Sequence, residues 1–231
     1  MRASEYDYLD RDGHVYLDYT GSGLASRSQL RAHHDRLTGQ LFGNPHSENP
    51  PSKASTELVE DTRRAVLAYL HASAEEYAVV FTPNATGACR LVGEAYPFQP
   101  GSQLLLTADN HNSVNGLREF ARVQQAHISP IPVRAPDLRI DETALLDAIR
   151  AGRSRHPRLL AYSAQSNFSG VQHPLNWLDM AHEYGYDVVL DRVDRDGDDP
   201  APGPAADRGP ARSAGPDAAH QLQSRGRRGR L

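Results

Sequence analysis

Between residues 77 and 191, short apolar runs alternate with stretches of helical spacing, and this alternation restricts the fold more than any other feature of the chain. The runs are YAVVFT (77–82), QLLLT (103–107), ISPIPV (128–133), RLLAYSA (158–164) and YDVVLD (186–191). Between them, ATGACRLVGEAY (85–96), SVNGLREFARVQQ (113–125), DETALLDAIRAG (141–152) and PLNWLDMAHEYG (174–185) repeat apolar residues at three- and four-residue intervals. Near-continuous apolar strands leave no face for water. The alternation therefore predicts an α/β fold, with a mainly parallel sheet and helices on both faces. Asp141 is expected as an N-cap, Pro174 as a first helical residue, and Gly152 and Gly185 as C-terminal glycines.

Upstream, YLDYTGSG (16–23) reads as a short strand and turn, and helices are expected at 26–40 and 52–71. The second of these is amphipathic over its length and is expected to pack on the sheet domain. Downstream, the pattern stops at Asp191. Of the 40 residues from 192 to 231, 32 are Ala, Gly, Pro, Arg or Asp, and only Val193, Leu222 and Leu231 are large and apolar. Such a segment buries too little surface to offset the entropy of ordering, so disorder is expected. Three origins suit it: a natural flexible tail, a pseudogene or truncation, or translation out of frame after codon 191, since Ala, Gly, Pro and Arg have GC-rich codons. The chain thus divides into an N-terminal segment (1–50), a partial sheet domain (51–191) and a tail (192–231).

Residues 1–191 carry 17 basic and 23 acidic side chains, a net of −6, which weighs against nucleic acid as a partner. The single cysteine, Cys89, excludes an internal disulfide framework and suits a reducing compartment. The N-terminus lacks the apolar run of a signal peptide, and no stretch approaches a membrane span. A cytoplasmic protein without membrane anchorage is expected.

Open α/β sheets bind ligands beyond the carboxyl ends of their strands. After YAVVFT comes PNATGA (83–88), a small-residue loop opening a helix, where backbone N–H groups and the Thr86 hydroxyl suit a phosphate. His111 follows QLLLT; Gln165, Ser166 and Asn167 follow RLLAYSA; Asp191 ends YDVVLD. Each has a plainer reading. Thr86 could cap its helix, His111 could be an ordinary loop histidine, Asn167 could serve the turn before Gly170, and Asp191 could cap a following helix. Their recurrence along one sheet edge favours a ligand site. No metal-ligand set is expected.

Six stretches resemble the class V aminotransferase and cysteine desulfurase group of fold-type I pyridoxal-phosphate enzymes, and most of all its molybdenum-cofactor sulfurases. They are YLDYTGSGL (16–24), FGNPHSENPPSK (42–53), VVFTPNATGACRLVGEA (79–95), DNHNSV (109–114), YSAQSNFSGVQHPL (162–175) and VVLD (188–191). The resemblance implies pyridoxal 5′-phosphate as cofactor, a small amino-acid substrate with L-cysteine favoured, sulfur removal from it, and homodimers for full-length members. It also implies cofactor-binding roles. Ala85 and Thr86 would hold the phosphate, and His111 would stack on the ring. Asn167 would bond the phenolic oxygen with Gln165 nearby, and Asp191 would pair with the ring nitrogen. Asn44 and His46 would line the wall of the site.

The family's Schiff-base lysine lies beyond the aspartate, yet the one lysine here is Lys53, at a helix start well before it. No catalytic residue is therefore assigned, and the chain is expected to be inactive as written. Cys89 is expected to pack rather than react. Two other readings stay open. One is a non-catalytic remnant that binds a cofactor or a full-length relative weakly. The other is a nucleotide-binding α/β domain, suggested by GSG (21–23).

Overall fold

Four of the five apolar runs form one sheet. The computed structural model describes residues 1–19, 22–152 and 155–192. Its N-terminal part is helical, with α1 (Arg2–Glu5), α2 (Asp7–Arg11), α3 (Arg27–Gly39) and α4 (Pro50–Tyr69). The remainder runs α5 (Ala85–Ala95), β1 (Gln103–Thr107), α6 (Asn112–Asn115), α7 (Leu117–Val123), β2 (His127–Ile131), β3 (Val133–Arg134), β4 (Arg139–Ile140), α8 (Glu142–Ala151), β5 (Arg158–Ser163), α9 (Trp177–Glu183) and β6 (Asp187–Asp191). The sheet order is β2-β1-β5-β6, and every neighbouring pair is parallel. The expected α/β class is therefore observed. None of the described helices is long and apolar enough to cross a membrane.

Because strand side chains alternate between faces, one sheet needs two covers. Leu104, Leu106, Leu159 and Ala161 face a cluster with Cys89 of α5, Val114 of α6, and Leu117 and Ala121 of α7. Leu105, Leu160 and Tyr162 face the other way, against Leu145 and Ile149 of α8 and Trp177 and Ala181 of α9. Tyr162 and Trp177 meet with ring centroids 5.4 Å apart. Burying a leucine fully stabilises by about 1.5–3 kcal/mol, so these paired layers dominate the energetics.

The caps follow the local rules. Asp141 accepts the Ala144 N–H at 3.1 Å, as expected of an N-cap. Gly185 has φ +76, in the left-handed region that favours glycine. Gly152 ends α8 for another reason: a Cβ there would collide with the Tyr186 hydroxyl and Gln103 Oε1.

Several expectations require correction. The run 77–82 forms no strand, and Tyr77, Val80 and Phe81 remain exposed. Apolar alternation supplies only half of a strand. The other half is a partner to hydrogen-bond, and none lies alongside among the described residues. What holds the segment is α4, whose Arg63 donates to the Val79 carbonyl at 3.2 Å and sits 5.6 Å over the Phe81 ring. Likewise 16–19 is not a strand, and its expected turn falls partly on residues 20–21, outside those described. The expected 113–125 helix divides at Gly116 into α6 and α7, where a residue without a side chain weakens helix continuity. Pro132 interrupts 128–133, after which β3 and β4 pair as a small antiparallel hairpin. Pro174 precedes α9 rather than opening it, and its carbonyl accepts from the Tyr162 hydroxyl at 3.4 Å. The tail expectation lies outside the described residues from 193 onward.

Two predictions follow from this packing. Leu160→Ala, at a fully buried site, is expected to cost about 2–5 kcal/mol in urea denaturation, whereas the half-exposed Leu91→Ala changes stability by about 0.5 kcal/mol or less. Burial raises the phenols of Tyr162, Tyr96 and Tyr186 above their ordinary value, with Asp179 adding to the first and Asp187 to the second. The unfolded phenols ionise from about pH 10 while the folded ones stay neutral, so this stability is complete below about pH 10 and is lost above it. The urea midpoint is expected to fall above about pH 10, and less steeply for Tyr162→Phe. An unchanged slope in that variant would contradict the assignment.

Candidate functional site

The stretch Asp109–Ser113 leaves the carboxyl end of β1 and makes polar contacts to four other parts of the fold. Asp109 is buried, and its Oδ2 lies 2.7 Å from Nε2 of His173, itself buried and stacked on Trp177. Asn110 donates through Nδ2 to the Ala161 carbonyl of β5 at 3.0 Å. Its Oδ1 lies 3.2 Å from the Ser163 hydroxyl, which is also 3.3 Å from Oδ2 of Asp191. Ser163 and Asp191 are register partners on β5 and β6. His111 caps α6, its Nδ1 accepting the Ser113 N–H at 3.2 Å. Ser113 Oγ lies 2.9 Å from that same Nδ1 and 2.7 Å from Oγ1 of Thr86 on α5.

The start of α5 has its own chemistry. Asn84 is the N-cap: its side chain accepts the Gly87 N–H at 2.9 Å and its carbonyl the Ala88 N–H at 3.1 Å. The N–H groups of Ala85 and Thr86 have no acceptor among the described residues. Two open amides at the positive end of an 11-residue helix suit an anion. Thr86 therefore does not cap its helix; its hydroxyl turns to Ser113. One turn further on, Cys89 is buried in the sheet cover, as expected. Its thiol is pushed up, first by burial and then by the negative charge of Asp191. The carboxylate thus sits within electrostatic reach of α5.

Of the six residues expected to bind cofactor, Ala85, Thr86, His111 and Asp191 share this network or its helix start. Gln165 and Asn167 do not join it directly. Gln165 donates to Gly170 of its own loop at 3.1 Å. Asn167 is exposed on a turn whose Phe168 and Ser169 N–H groups both point at Ser166 Oγ, 3.3 Å away. Ser166 in turn donates to the Asp109 carbonyl at 3.0 Å, which ties that loop to the network. The GNPHS segment is bonded to α4 instead: His46 N–H donates to Thr56 at 2.9 Å, and the Gly43 carbonyl accepts from Ser55 at 2.7 Å. Asn44 has an exposed place on the same segment. Lys53 is on α4, exposed, with Glu48 3.2 Å away.

Sequence reasoning missed Asp109, Asn110, Ser113, Ser163 and His173. Three of them lie inside the DNHNSV stretch that drew attention, but spacing alone does not tell which serine hydroxyl meets which partner.

Residues 15–200 match the sequence profile of the family described as Aminotransferase class-V. The chain belongs to the class V aminotransferase family. Molybdenum cofactor sulfurase of Homo sapiens is 39% identical over 185 residues, covering 78% of this chain and 20% of its own length. The Arabidopsis thaliana protein of the same name is 34% identical over 201 residues. The chain thus spans about a fifth of these curated relatives. Among solved structures, a cysteine desulfurase from Thermococcus onnurineus superposes with TM-score 0.68 at 22% identity, over 82% of this chain and 46% of that one. At that identity the likeness concerns the fold.

In this class V chain, the second cause of the raised Cys89 thiol, the negative charge of Asp191, has a measurable consequence. Asp191→Asn removes one of the two causes that suppress the thiolate, so Cys89 is expected to react faster with iodoacetamide near neutral pH. Burial keeps the rate below that of a free thiol. Equal rates in both proteins would show that the Asp191 charge does not reach the thiol.

Proposed function

We propose that the chain is the front part of a pyridoxal 5′-phosphate site of sulfurase or desulfurase type. The observation that carries this reading is the approach of two features: the open start of α5 and a half-buried carboxylate at the end of β6, joined through Ser113, His111, Asn110 and Ser163. An acceptor-free pair of amides fits the phosphate and a carboxylate fits a cationic ring nitrogen, so the residues present suit the group. When bound, pyridoxal 5′-phosphate supplies an electron sink for the pair released at a substrate's α-carbon.

The chain's own residues would do the following. Ala85 and Thr86 would hold the phosphate through their N–H groups. His111 would lie against the ring, held by its bond to the Ser113 amide. Asp191 would keep a proton on the ring nitrogen, oriented by Ser163. Asn167 and Gln165 would approach from the loop after β5, with Asn167 bonding the phenolic oxygen. Asn44 and His46 would belong to the wall. We assign residues 51–191 to this partial cofactor domain, after an N-terminal segment ending at residue 50.

The names of the relatives support sulfur removal as the reaction of the parent protein and L-cysteine as its substrate class; for full-length members we extend the homodimeric assembly that the family resemblance implies. The single lysine, Lys53, is paired with Glu48 on α4, outside the network. This 231-residue chain by itself is therefore expected to bind cofactor weakly and without covalent attachment. A titration with pyridoxal 5′-phosphate, followed by tyrosine and tryptophan fluorescence, tests this. Saturable binding is expected, weakened roughly tenfold by Asp191→Asn, which removes a charge-assisted bond. No alanine should form from L-cysteine. Lysine-linked cofactor, or alanine release, would overturn the claim of inactivity; absence of any binding would overturn the cofactor site.

A further inference from the structure

The hydrogen bonds among Thr86, Ser113 and His111 have a fixed direction, and one backbone amide sets it. The Ser113 N–H can only donate, and it points at His111 Nδ1 from 3.2 Å. Nδ1 is therefore an acceptor without a proton, and the ring proton sits on Nε2. Because Nδ1 has nothing to give, the Ser113 hydroxyl 2.9 Å away donates to it, the one Nδ1 lone pair being shared with the backbone N–H. With its proton committed there, Ser113 Oγ acts as the acceptor for Thr86 Oγ1, 2.7 Å away. The order of donation is Thr86 to Ser113 to His111.

That order conflicts with an anion at α5. A phosphate dianion accepts and does not donate, whereas the Thr86 hydroxyl proton already points inward. To give that proton to phosphate, Thr86 must release Ser113. The Ser113 hydroxyl can then turn its own proton onto Thr86 Oγ1, which leaves Nδ1 of His111 with the backbone N–H alone. No bond is made or broken beyond hydrogen bonds, and each hydroxyl keeps its proton. We propose that Ser113 is a positioning residue whose one hydroxyl proton couples anion occupancy at Thr86 to the imidazole of His111. This deepens the cofactor reading above and rests on it, because the anion in question is the cofactor's phosphate. Ser113 is suited to the task. It is buried, so water does not compete for its proton, and it stands between an exposed phosphate-loop residue and an exposed ring.

The test uses the full chain labelled with ¹⁵N-histidine, the His111 signals being assigned by their loss in His111→Gln. In the ligand-free protein, long-range ¹H–¹⁵N spectra are expected to show the Nε2–H tautomer. Adding inorganic phosphate, and separately pyridoxal 5′-phosphate, is expected to move the Nδ1 resonance in the wild type and in Ser113→Thr, which keeps the hydroxyl. The movement is expected to shrink in Ser113→Ala and in Thr86→Val, the latter at an exposed position where folding is not at stake. Thr86→Val should weaken phosphate binding by roughly threefold to tenfold, whereas Ser113→Ala, which frees the Thr86 proton from its inward partner, should not weaken it, and the double variant should bind like Thr86→Val. An Nδ1–H tautomer, or equal movement in Ser113→Ala, overturns the coupling while leaving the cofactor reading intact. A wild type that answers neither ligand overturns both.

Discussion

Parallel pairing of β1, β5 and β6 commits the chain to a single working edge. Parallel strands all finish on the same side and must return across a face, so Thr107, Ser163 and Asp191 end together while helices occupy the two faces. With both faces apolar, the polar chemistry is confined to the loops beyond the last ladder bonds. Leu104 and Leu105 illustrate the constraint, since neighbours in sequence serve opposite covers and neither position tolerates a polar group.

At that edge polar groups are buried, where an unmet hydrogen bond is costly; most are paired, while Thr107 Oγ1 and Asp109 Oδ1 have no hydrogen-bond partner among the described residues. Asn110 cannot remain inside without Ala161 and Ser163, nor Asp109 without His173. These bonds hold the start of α6, and hence His111, in a set relation to β5 and β6. The loop after β5 is bound to the same stretch by Ser166. A network of this kind contributes geometry as well as energy: each member has few alternative partners, so the side chains around it keep their positions.

The chain belongs to the class V aminotransferase family and spans about a fifth of its curated sulfurase relatives. Its lysine stands on α4 beside Glu48, and its cysteine is buried with the thiol pushed up by burial and by Asp191. Neither side chain has a hydrogen bond to the network among the described residues.

Much of the fold was legible in the sequence because periodicity reports burial. QLLLT, RLLAYSA and YDVVLD became β1, β5 and β6, and Asp141 capped α8, since a cap and a doubly buried strand are local or one-dimensional signals. YAVVFT has the same signal and made no strand, because a ladder needs a second chain segment that a pattern within one segment does not describe. His111 and Asp191 were likewise visible as polar residues at strand ends, and Thr86 as a hydroxyl in a small-residue loop opening a helix. Ser113, Asn110 and Ser163 were not, although two of them lie within five residues of His111. Their importance comes from partners 27, 51 and 28 residues away. The sequence by itself determined four of the five runs expected as strands and where the polar edge lies, through alternation and composition. Only the tertiary structure decided which hydroxyl meets which ring and carboxylate, because hydrogen bonds depend on distance and direction in space rather than on separation along the chain.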